Sequence, residues 1–182
     1  MTIQLRNNKS VLIRLLEKTD AENLYSYLDK LSAESRSRFG PHPFDWNTVK
    51  NICDHLPGDT RRYIAIDSSG NNIVAYMLVK NGMIEWDAQR YSHRGQSFDE
   101  NRSVTFAPSV ADGWQSSGLG SAMNEFIENE LKESGKKTII LWGGVQASNL
   151  KAVNFYRKLG YKYIASFWHD GKDNYDMVKE LG

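Results

Sequence analysis

A glycine- and serine-rich stretch that opens a long amphipathic helix constrains this chain more than any other feature. The stretch covers residues 110–122, VADGWQSSGLGSA, and it follows a strand-like run. Apolar residues then recur at the spacing of one buried helical face, at Leu119, Ala122, Met123, Phe126, Ile127 and Leu131. Gly135 is expected to end this helix. The order predicts a strand, a glycine loop and a helix in direct succession.

The start of that helix has the properties of an anion-binding site. The first N–H groups of a helix have no intrahelical partner, and the aligned peptide dipoles place partial positive charge there. Gly118 and Gly120 let the backbone approach a ligand closely, while Ser116, Ser117 and Ser121 add hydroxyl donors. We therefore predict a pocket for a diphosphate-sized anion, built mostly from main-chain amides. The alternative is an ordinary Ser/Gly-rich loop that happens to precede a helix.

Two motifs together carry a family resemblance. Residues 115–120, QSSGLG, match the pattern Q/R-x-x-G-x-G/A, and residues 149–161, NLKAVNFYRKLGY, match N-x-x-A-x-x-F-Y-x-x-L-G-F/Y. In this order, with a strand between them, they resemble the two signatures of the GNAT superfamily of N-acetyltransferases. A nucleotide P-loop would need a lysine directly after Gly120, and a Rossmann fingerprint would need a third glycine. The resemblance covers residues 102–168.

The resemblance implies acetyl-CoA as co-substrate, with its pyrophosphate held by the amides of the glycine loop. The cofactor-binding residues that it implies in the two motifs are Gln115, Ser116, Ser117, Gly118, Leu119, Gly120, Ser121, Asn149 and Tyr156. Pro108 lies inside the strand predicted over residues 103–110, and a proline in a strand marks an edge or a bulge. The family has a bulge in this strand that binds the pantetheine arm and the acetyl carbonyl. Ser109 and Val110 are therefore predicted to contact the cofactor arm.

Tyr156 matches the tyrosine that the family often uses as the acid for the leaving thiolate. A phenol has a pKa of about 10 and a thiol of about 8.5, so full proton transfer between them is unfavourable. A hydrogen bond to the thiolate is the more conservative role. The alternative is that Tyr156 is a core aromatic residue on its helix, and for Asn149 the alternative is helix capping.

The general base is not found where the resemblance would place it. Many family members have a glutamate in the strand before the glycine loop, and this chain has Thr105 at the matching position. Glu85 or Asp87, acting through water, and bulk water itself are the predicted candidates. The sequence leaves the choice among them open.

The acceptor side is less constrained. The resemblance implies that helices after the first strand wall the acceptor site, which makes candidates of Arg36, Arg38, Phe39 and His42. A solvated helix surface explains them equally well. Residues 83–86 are predicted to extend the sheet, and residues 87–101 to form an acceptor-side flap or a mobile surface loop. Ser148 is predicted to cap a helix over residues 149–159.

Composition limits the class of protein. The 182 residues are 40% hydrophobic and 25% charged, which is ordinary for one globular domain. A net charge of +1 argues against a nucleic-acid surface, and no run approaches the roughly 20 apolar residues of a membrane span. The single Cys53 fits a reducing compartment. We expect a cytoplasmic protein without a membrane or nucleic-acid partner and without a metal. Whether it forms a homodimer is left open.

The sequence therefore predicts a single α/β domain over residues 1–182, with a GNAT fold in which helices flank a mixed central β-sheet. The predicted activity is transfer of an acetyl group from acetyl-CoA to a primary amine, by direct attack in a ternary complex. A small-molecule amine is the preferred acceptor, and a protein N-terminus or lysine is the alternative. Competing hypotheses are a non-catalytic acyl-CoA-binding module and an anion-binding α/β domain without CoA. The donor's acyl length stays open as well.

Overall fold

The computed structural model describes residues 1–5 and 8–182, which form a mixed α/β structure. Its strands are β1 (Thr2–Gln4), β2 (Ser10–Leu15), β3 (Thr60–Asp67), β4 (Ile73–Asn81), β5 (Ser103–Val110), β6 (Thr138–Leu141), β7 (Val145–Gln146), β8 (Lys162–His169) and β9 (Lys172–Glu180). Its α-helices are α1 (Ala21–Asp29), α2 (Ala33–Arg36), α3 (Trp46–Asp54), α4 (Glu85–Ser92), α5 (Leu119–Glu133) and α6 (Leu150–Lys158).

The strands form one sheet in the order β1-β2-β3-β4-β5-β6-β9-β7, with β8 also paired to β9. β5 and β6 run parallel, whereas β1 with β2, β2 with β3, and β9 with each of its neighbours run antiparallel. This confirms the predicted mixed sheet flanked by helices. The β5–β6 ladder joins residues 103–106 to residues 138–141, so Pro108 lies beyond it, where its missing N–H costs no ladder bond.

The chain forms two compact units, each built from two segments. The first contains residues 1–79 and 107–126, and the second contains residues 80–106 and 127–182. The single domain expected from the sequence therefore stays a prediction.

In the first unit, helices α1 and α3 contribute to the core through residues at helical spacing. Leu24 and Leu28 of α1 are fully buried, as are Ile13 of β2 and Val49 of α3. A turn before α1 is fixed by a bidentate ion pair, in which Arg14 donates to both carboxylate oxygens of Asp20 at 2.6 and 2.8 Å. Asp20 also accepts from the Glu17 amide at 2.8 Å. These bonds hold the pKa of the Asp20 carboxyl below its ordinary value, although burial opposes them.

In the second unit, α4 is held by ionic contacts with β9. Tyr91 of α4 is fully buried against Ile140 and Val178. Four charged residues, which we call the Arg90 network, are joined by ion pairs: Asp87, Arg90, Arg94 and Asp176. The guanidinium of Arg90 donates to Asp87 at 2.7 Å and to Asp176 at 2.7 and 3.0 Å. Both carboxylates are fully buried, so these contacts fix where α4 lies in this unit.

Helix α4 corrects two predictions. Residues 83–86 do not extend the sheet, and the first half of the segment 87–101 is helical rather than a loop. Asp87 and Tyr91 lie one helical turn apart and are both buried, while Asp87 and Arg90 form an i,i+3 ion pair. The buried face of this helix therefore contains a carboxylate, and an apolar periodicity search does not detect it.

Other predicted elements agree with the structure to within a few residues. The long helix after the glycine loop is α5, and Gly135 follows it with a φ of 77°. The cap of α6 is Asn149 and not Ser148, because the Asn149 side chain accepts a bond from the Ala152 amide. Strands β1 and β7 were not predicted, since two or three residues carry too little periodicity. No helix in residues 1–5 and 8–182 has both the length and the apolar composition that crossing a membrane requires.

Candidate active site

The glycine loop adopts the unusual backbone geometry that its sequence predicts. It lies in the first unit, between β5 and α5. Ser116 has a φ of 63° and Gly118 a φ of 89°. A serine in the left-handed region is uncommon, and such strained residues concentrate at ligand-binding sites.

Several main-chain donors of this loop are unused by the protein. The amides of Ser116, Gly118, Gly120 and Ser121 donate no hydrogen bond to the residues that the structure describes. The first intrahelical bond here comes from Ala122, which donates to the Gly118 carbonyl at 3.0 Å. Four unused N–H groups lie within six residues at the positive end of a 15-residue helix, an arrangement that can bind an anion with several oxygens.

The loop is fastened to α2 through Asp112, which sequence reasoning did not single out. Its carboxylate accepts from the Ser32 amide at 2.9 Å, the Ser32 hydroxyl at 3.0 Å and the Ser35 hydroxyl at 2.6 Å. These bonds lower the pKa of Asp112. Gln115 donates to the Val110 carbonyl at 3.3 Å, so its side chain braces the loop from within. The sequence feature that could have indicated this contact is the pair of serines, Ser32 and Ser35, at the first turn of α2.

The loop also borders a cleft of about 250 Å³ within the first unit. Asp112 and Trp114 line it from the loop side, and Asn23, Tyr27 and Lys30 line it from α1. The cleft thus reaches the segment just before the glycine loop, while Ser116, Gly118, Gly120 and Ser121 are not among its lining residues.

Ser109 and Val110, the predicted contacts of the cofactor arm, lie at the end of β5 in the same unit. The Ser109 hydroxyl is 2.7 Å from the Tyr27 hydroxyl of α1. Burial raises the pKa of Tyr27, so its phenol stays protonated. This bond fixes the Ser109 side chain, which leaves backbone groups as the means by which this segment would contact a cofactor.

Asn149 and Tyr156 lie in the second unit, at the start and in the middle of α6. The Asn149 Oδ1 atom accepts from the Ala152 amide at 3.2 Å, while its NH₂ group donates to none of the described residues. Capping and ligand binding are therefore compatible. The Tyr156 ring packs edge-on against Phe155 and Tyr161, and its hydroxyl bonds to none of the described residues. Burial raises the pKa of Tyr156, so this hydroxyl is a donor at neutral pH.

The two predicted base candidates differ in environment. Both carboxylate oxygens of Asp87 are occupied, one by Arg90 at 2.7 Å and the other by the Gly143 amide at 2.9 Å. Burial raises the pKa of Asp87, but proton uptake would break its contacts. Glu85 is exposed on α4, and among the residues that the structure describes it accepts only a long bond of 3.4 Å from Gln89. Thr105 is buried and donates to the Gly82 carbonyl at 2.8 Å, so its position supplies no base.

The acceptor candidates separate into two groups within the first unit. Arg36 donates to the carbonyls of Asp29 and Leu31, and Arg38 pairs with Glu34 at 2.6 Å. These two arginines are thus engaged in stabilising α2. Phe39 and His42 instead pack against each other, with ring centroids 5.7 Å apart.

Comparison with known proteins identifies the family. Residues 24–161 match the Acetyltransferase (GNAT) family, and because this is more than half of the chain, the protein belongs to that family. It is therefore an acyltransferase that uses acetyl-CoA as co-substrate. A comparison with curated protein sequences gave no significant match.

Solved structures share the fold at low sequence identity. The GNAT domain of S. lividans PAT has a TM-score of 0.78 at 21% identity, over 100% of this chain and 96% of that one. The ribosomal-protein-S18-alanine N-acetyltransferase from Escherichia coli has a TM-score of 0.65 at 20% identity, over 94% of each chain. The putative acetyltransferase yncA from Salmonella typhimurium, solved with acetyl-CoA, has a TM-score of 0.66 at 16% identity, over 94% of each chain.

Replacement of Gly118 by alanine should weaken both stability and acetyl-CoA binding. At a φ of 89° an alanine is strained by about 1–2 kcal/mol, and relief of that strain would move the neighbouring amides. Gly113→Ala is the matched control, because a Cβ at either glycine has nothing within 4 Å and Gly113 has no positive φ. Calorimetric titration should show that Gly118→Ala lowers the affinity for acetyl-CoA and that Gly113→Ala does not. Equal affinities in the two variants would contradict a role for this amide geometry.

Proposed function

We propose that this protein transfers the acetyl group of acetyl-CoA to a primary amine of a small molecule, by direct attack in a ternary complex. The observation that carries the proposal is the set of four unused amides, from Ser116 to Ser121, at the start of α5. They supply a pyrophosphate site without a basic side chain. The strained φ of Ser116 supports a binding role for the loop.

The proposed chemistry needs little beyond positioning. Fixed amides along the CoA make the attack of the amine effectively intramolecular, which is worth several orders of magnitude in rate. A backbone N–H at Ser109 or Val110 would stabilise the oxyanion that develops on the acetyl carbonyl. Tyr156 would donate a hydrogen bond to the thiolate as it leaves. The raised pKa of Tyr156 supports this assignment, because a neutral phenol donates without giving up its proton.

A non-catalytic acyl-CoA-binding module is the second candidate. The observation in its favour is Thr105, whose hydroxyl is committed to Gly82 where many family members have a glutamate. The unbonded hydroxyl of Tyr156 favours the enzyme, because a binding module has no need of a donor there.

Two measurements test the proposal. Acetyl-CoA at a hundredfold excess over its dissociation constant should raise the free energy of unfolding by about 2.7 kcal/mol. A panel of primary amines with acetyl-CoA should then release free thiol, and a matched panel of peptides tests protein N-termini and lysines. Stabilisation without thiol release from any acceptor would favour the binding module. Release with peptides alone would replace the small-molecule acceptor by a protein.

A further inference from the structure

A cluster of aromatic and basic side chains lies in the first unit, apart from the residues already assigned to the cofactor. We call it the His42 cluster, and its members are Phe39, His42, Phe44, Arg62 and Tyr76. The His42 ring centroid lies 5.7 Å from that of Phe39, 6.4 Å from that of Phe44 and 5.8 Å from that of Tyr76. Phe39 and Tyr76 are buried. Three aromatic rings therefore surround one imidazole.

Three buried polar atoms of this cluster have no hydrogen-bond partner among the described residues: His42 Nε2, Arg62 Nε and the Tyr76 hydroxyl. The Tyr76 side chain is fully buried. Arg62 interacts electrostatically with both His42 and Tyr76, which places the three groups together. Arg62 and Tyr76 can satisfy each other by a small side-chain shift, whereas His42 Nε2 has no such neighbour in the described part of the chain. Buried polar groups in native proteins are nearly always bonded, so this unbonded Nε2 indicates a position that a polar ligand completes.

The tautomer of His42 is fixed by its own backbone neighbour. The Nδ1 atom lies 2.7 Å from the Pro43 carbonyl oxygen, which can only accept, so Nδ1 carries the proton. Nε2 is then left with a lone pair. Burial lowers the pKa of His42, and the charge of Arg62 lowers it further, against opposing effects of the Pro43 carbonyl and Asp45. The ring is consequently neutral near pH 7 and able to accept a proton.

Strand pairing brings this cluster to the end of β5. The Ala111 amide donates to the Val74 carbonyl at 2.9 Å, and β4 and β5 are antiparallel neighbours. Counting from this pair, two residues forward along β4 is Tyr76 and two residues back along β5 is Ser109. These two residues are therefore opposite each other, on the same face of the sheet. Tyr27 supports this placement, since it bonds to the Ser109 hydroxyl at 2.7 Å and also interacts with Tyr76.

We propose that His42 Nε2 is the general base that removes the proton from the amine acceptor, which binds among Phe39, Phe44 and Tyr76. The inference rests on the proposed acetyl transfer and supplies the base that Thr105 does not. The ammonium R–NH₃⁺ gives one proton to Nε2, and the neutral amine attacks the acetyl carbon, forming the C–N bond. The C–S bond then breaks, the second amine proton passes to the thiolate, and His42 releases its proton to solvent. The products are the amide, CoA thiol and one proton.

The surroundings of His42 suit this role. Aromatic faces attract an ammonium before deprotonation and cover a neutral amine afterwards. The guanidinium of Arg36 already lies over the Phe44 ring, 5.6 Å from its centroid, so Phe39 and Tyr76 would supply these contacts. The charged groups facing the imidazole are Arg62 of β3 and Asp45 at the start of α3. Arg62 favours the neutral ring, and it would also favour release of the proton once the imidazolium has formed.

The test compares His42→Gln with His55→Gln. His55 is exposed on the same unit and has the same kind of ring contact, with Nδ1 2.8 Å from the Asn51 carbonyl oxygen, so it controls for loss of a histidine. Two acceptors are used: the best amine from the screen, and an analogue with enough fluorine atoms on its β-carbon to bring the ammonium pKa below the assay pH. The first needs a base and the second does not.

For the basic amine at pH 7, His42→Gln should lower kcat/KM at least 100-fold, whereas His55→Gln should leave it within about twofold. For the fluorinated amine, His42→Gln should lower kcat/KM by less than about threefold. The kcat/KM of the variant should rise about tenfold per pH unit towards the pKa of the amine, while that of the wild type is level. The affinity for acetyl-CoA should be unchanged.

Equal losses with both amines, or parallel pH profiles, would show that His42 only shapes the pocket and would overturn its role as the base. A wild type that acetylates no amine would overturn the proposed function instead. The two failures are therefore distinguishable.

Discussion

Replacement of Arg90 by methionine should lower the free energy of unfolding by about 3–5 kcal/mol, because it leaves the buried carboxylate of Asp87 without a countercharge and that of Asp176 with Arg94 alone. Asp87 and Asp176 are both fully buried, and Arg90 donates to each of them at 2.7 Å. Methionine retains much of the apolar stem, so the packing loss is small compared with the electrostatic one. Urea denaturation followed by circular dichroism measures the difference.

Arg94→Met is the matched control within the same network. Arg94 contacts Asp176 at 2.7 Å and the Ser166 carbonyl at 2.5 Å, but its side chain is 30% exposed against 9% for Arg90. Its removal leaves Arg90 to compensate Asp176, so we expect a loss of about 1–2 kcal/mol. If Arg90→Met cost under 1 kcal/mol, the network would not be what holds α4.

Tyr156→Phe should lower the turnover of acetyl transfer roughly ten- to a hundredfold while leaving acetyl-CoA affinity unchanged. Loss of one hydrogen bond to a developing charge costs on the order of 1.5–3 kcal/mol in the transition state. The thioester sulfur of the ground state is a poor acceptor, so binding before the reaction should not depend on the hydroxyl. Steady-state rates with an identified acceptor, together with calorimetric titration of acetyl-CoA, separate the two effects.

Tyr161→Phe provides the control for Tyr156. The two rings are in contact, with centroids 5.3 Å apart, and the Tyr161 hydroxyl is buried without a partner among the described residues. Removal of an unsatisfied buried hydroxyl should leave turnover unchanged and stability equal or slightly higher. Equal turnover in wild type and Tyr156→Phe, with acetyl transfer rate-limiting, would eliminate the proposed role.

The cofactor side of the site was predictable because its information is local. A glycine at a positive φ, serines at a helix start and the apolar face of α5 all act within about a dozen residues. The unused amides of Ser116 and Gly118 follow from that geometry, and the loop has it in the structure. The contacts of the predicted cofactor residues with acetyl-CoA stay predictions that the titrations above would test.

Other features of the structure depend on contacts between residues far apart in the chain. Asp112 fastens the glycine loop to serines about 80 positions earlier, and Arg90 joins α4 to a carboxylate 86 positions later. In the sequence these charges are indistinguishable from a solvated surface. Their burial is set by the strands that pack against them, and so α4 was mistaken for a strand followed by a loop.

By itself the sequence determined the family, the acetyl-CoA co-substrate and the succession of strand, glycine loop and long helix around residues 103–133, since periodicity, caps and glycine positions are properties of neighbouring residues. Only the tertiary structure decided which of the candidate charged and aromatic groups are already engaged and which are unbonded. Asp87 was a plausible base until its two oxygens were found bound to Arg90 and Gly143. His42 was one of several polar residues until folding surrounded its ring with Phe39 and Tyr76. Burial changes what a titratable group can do, and burial is a property of the packed chain.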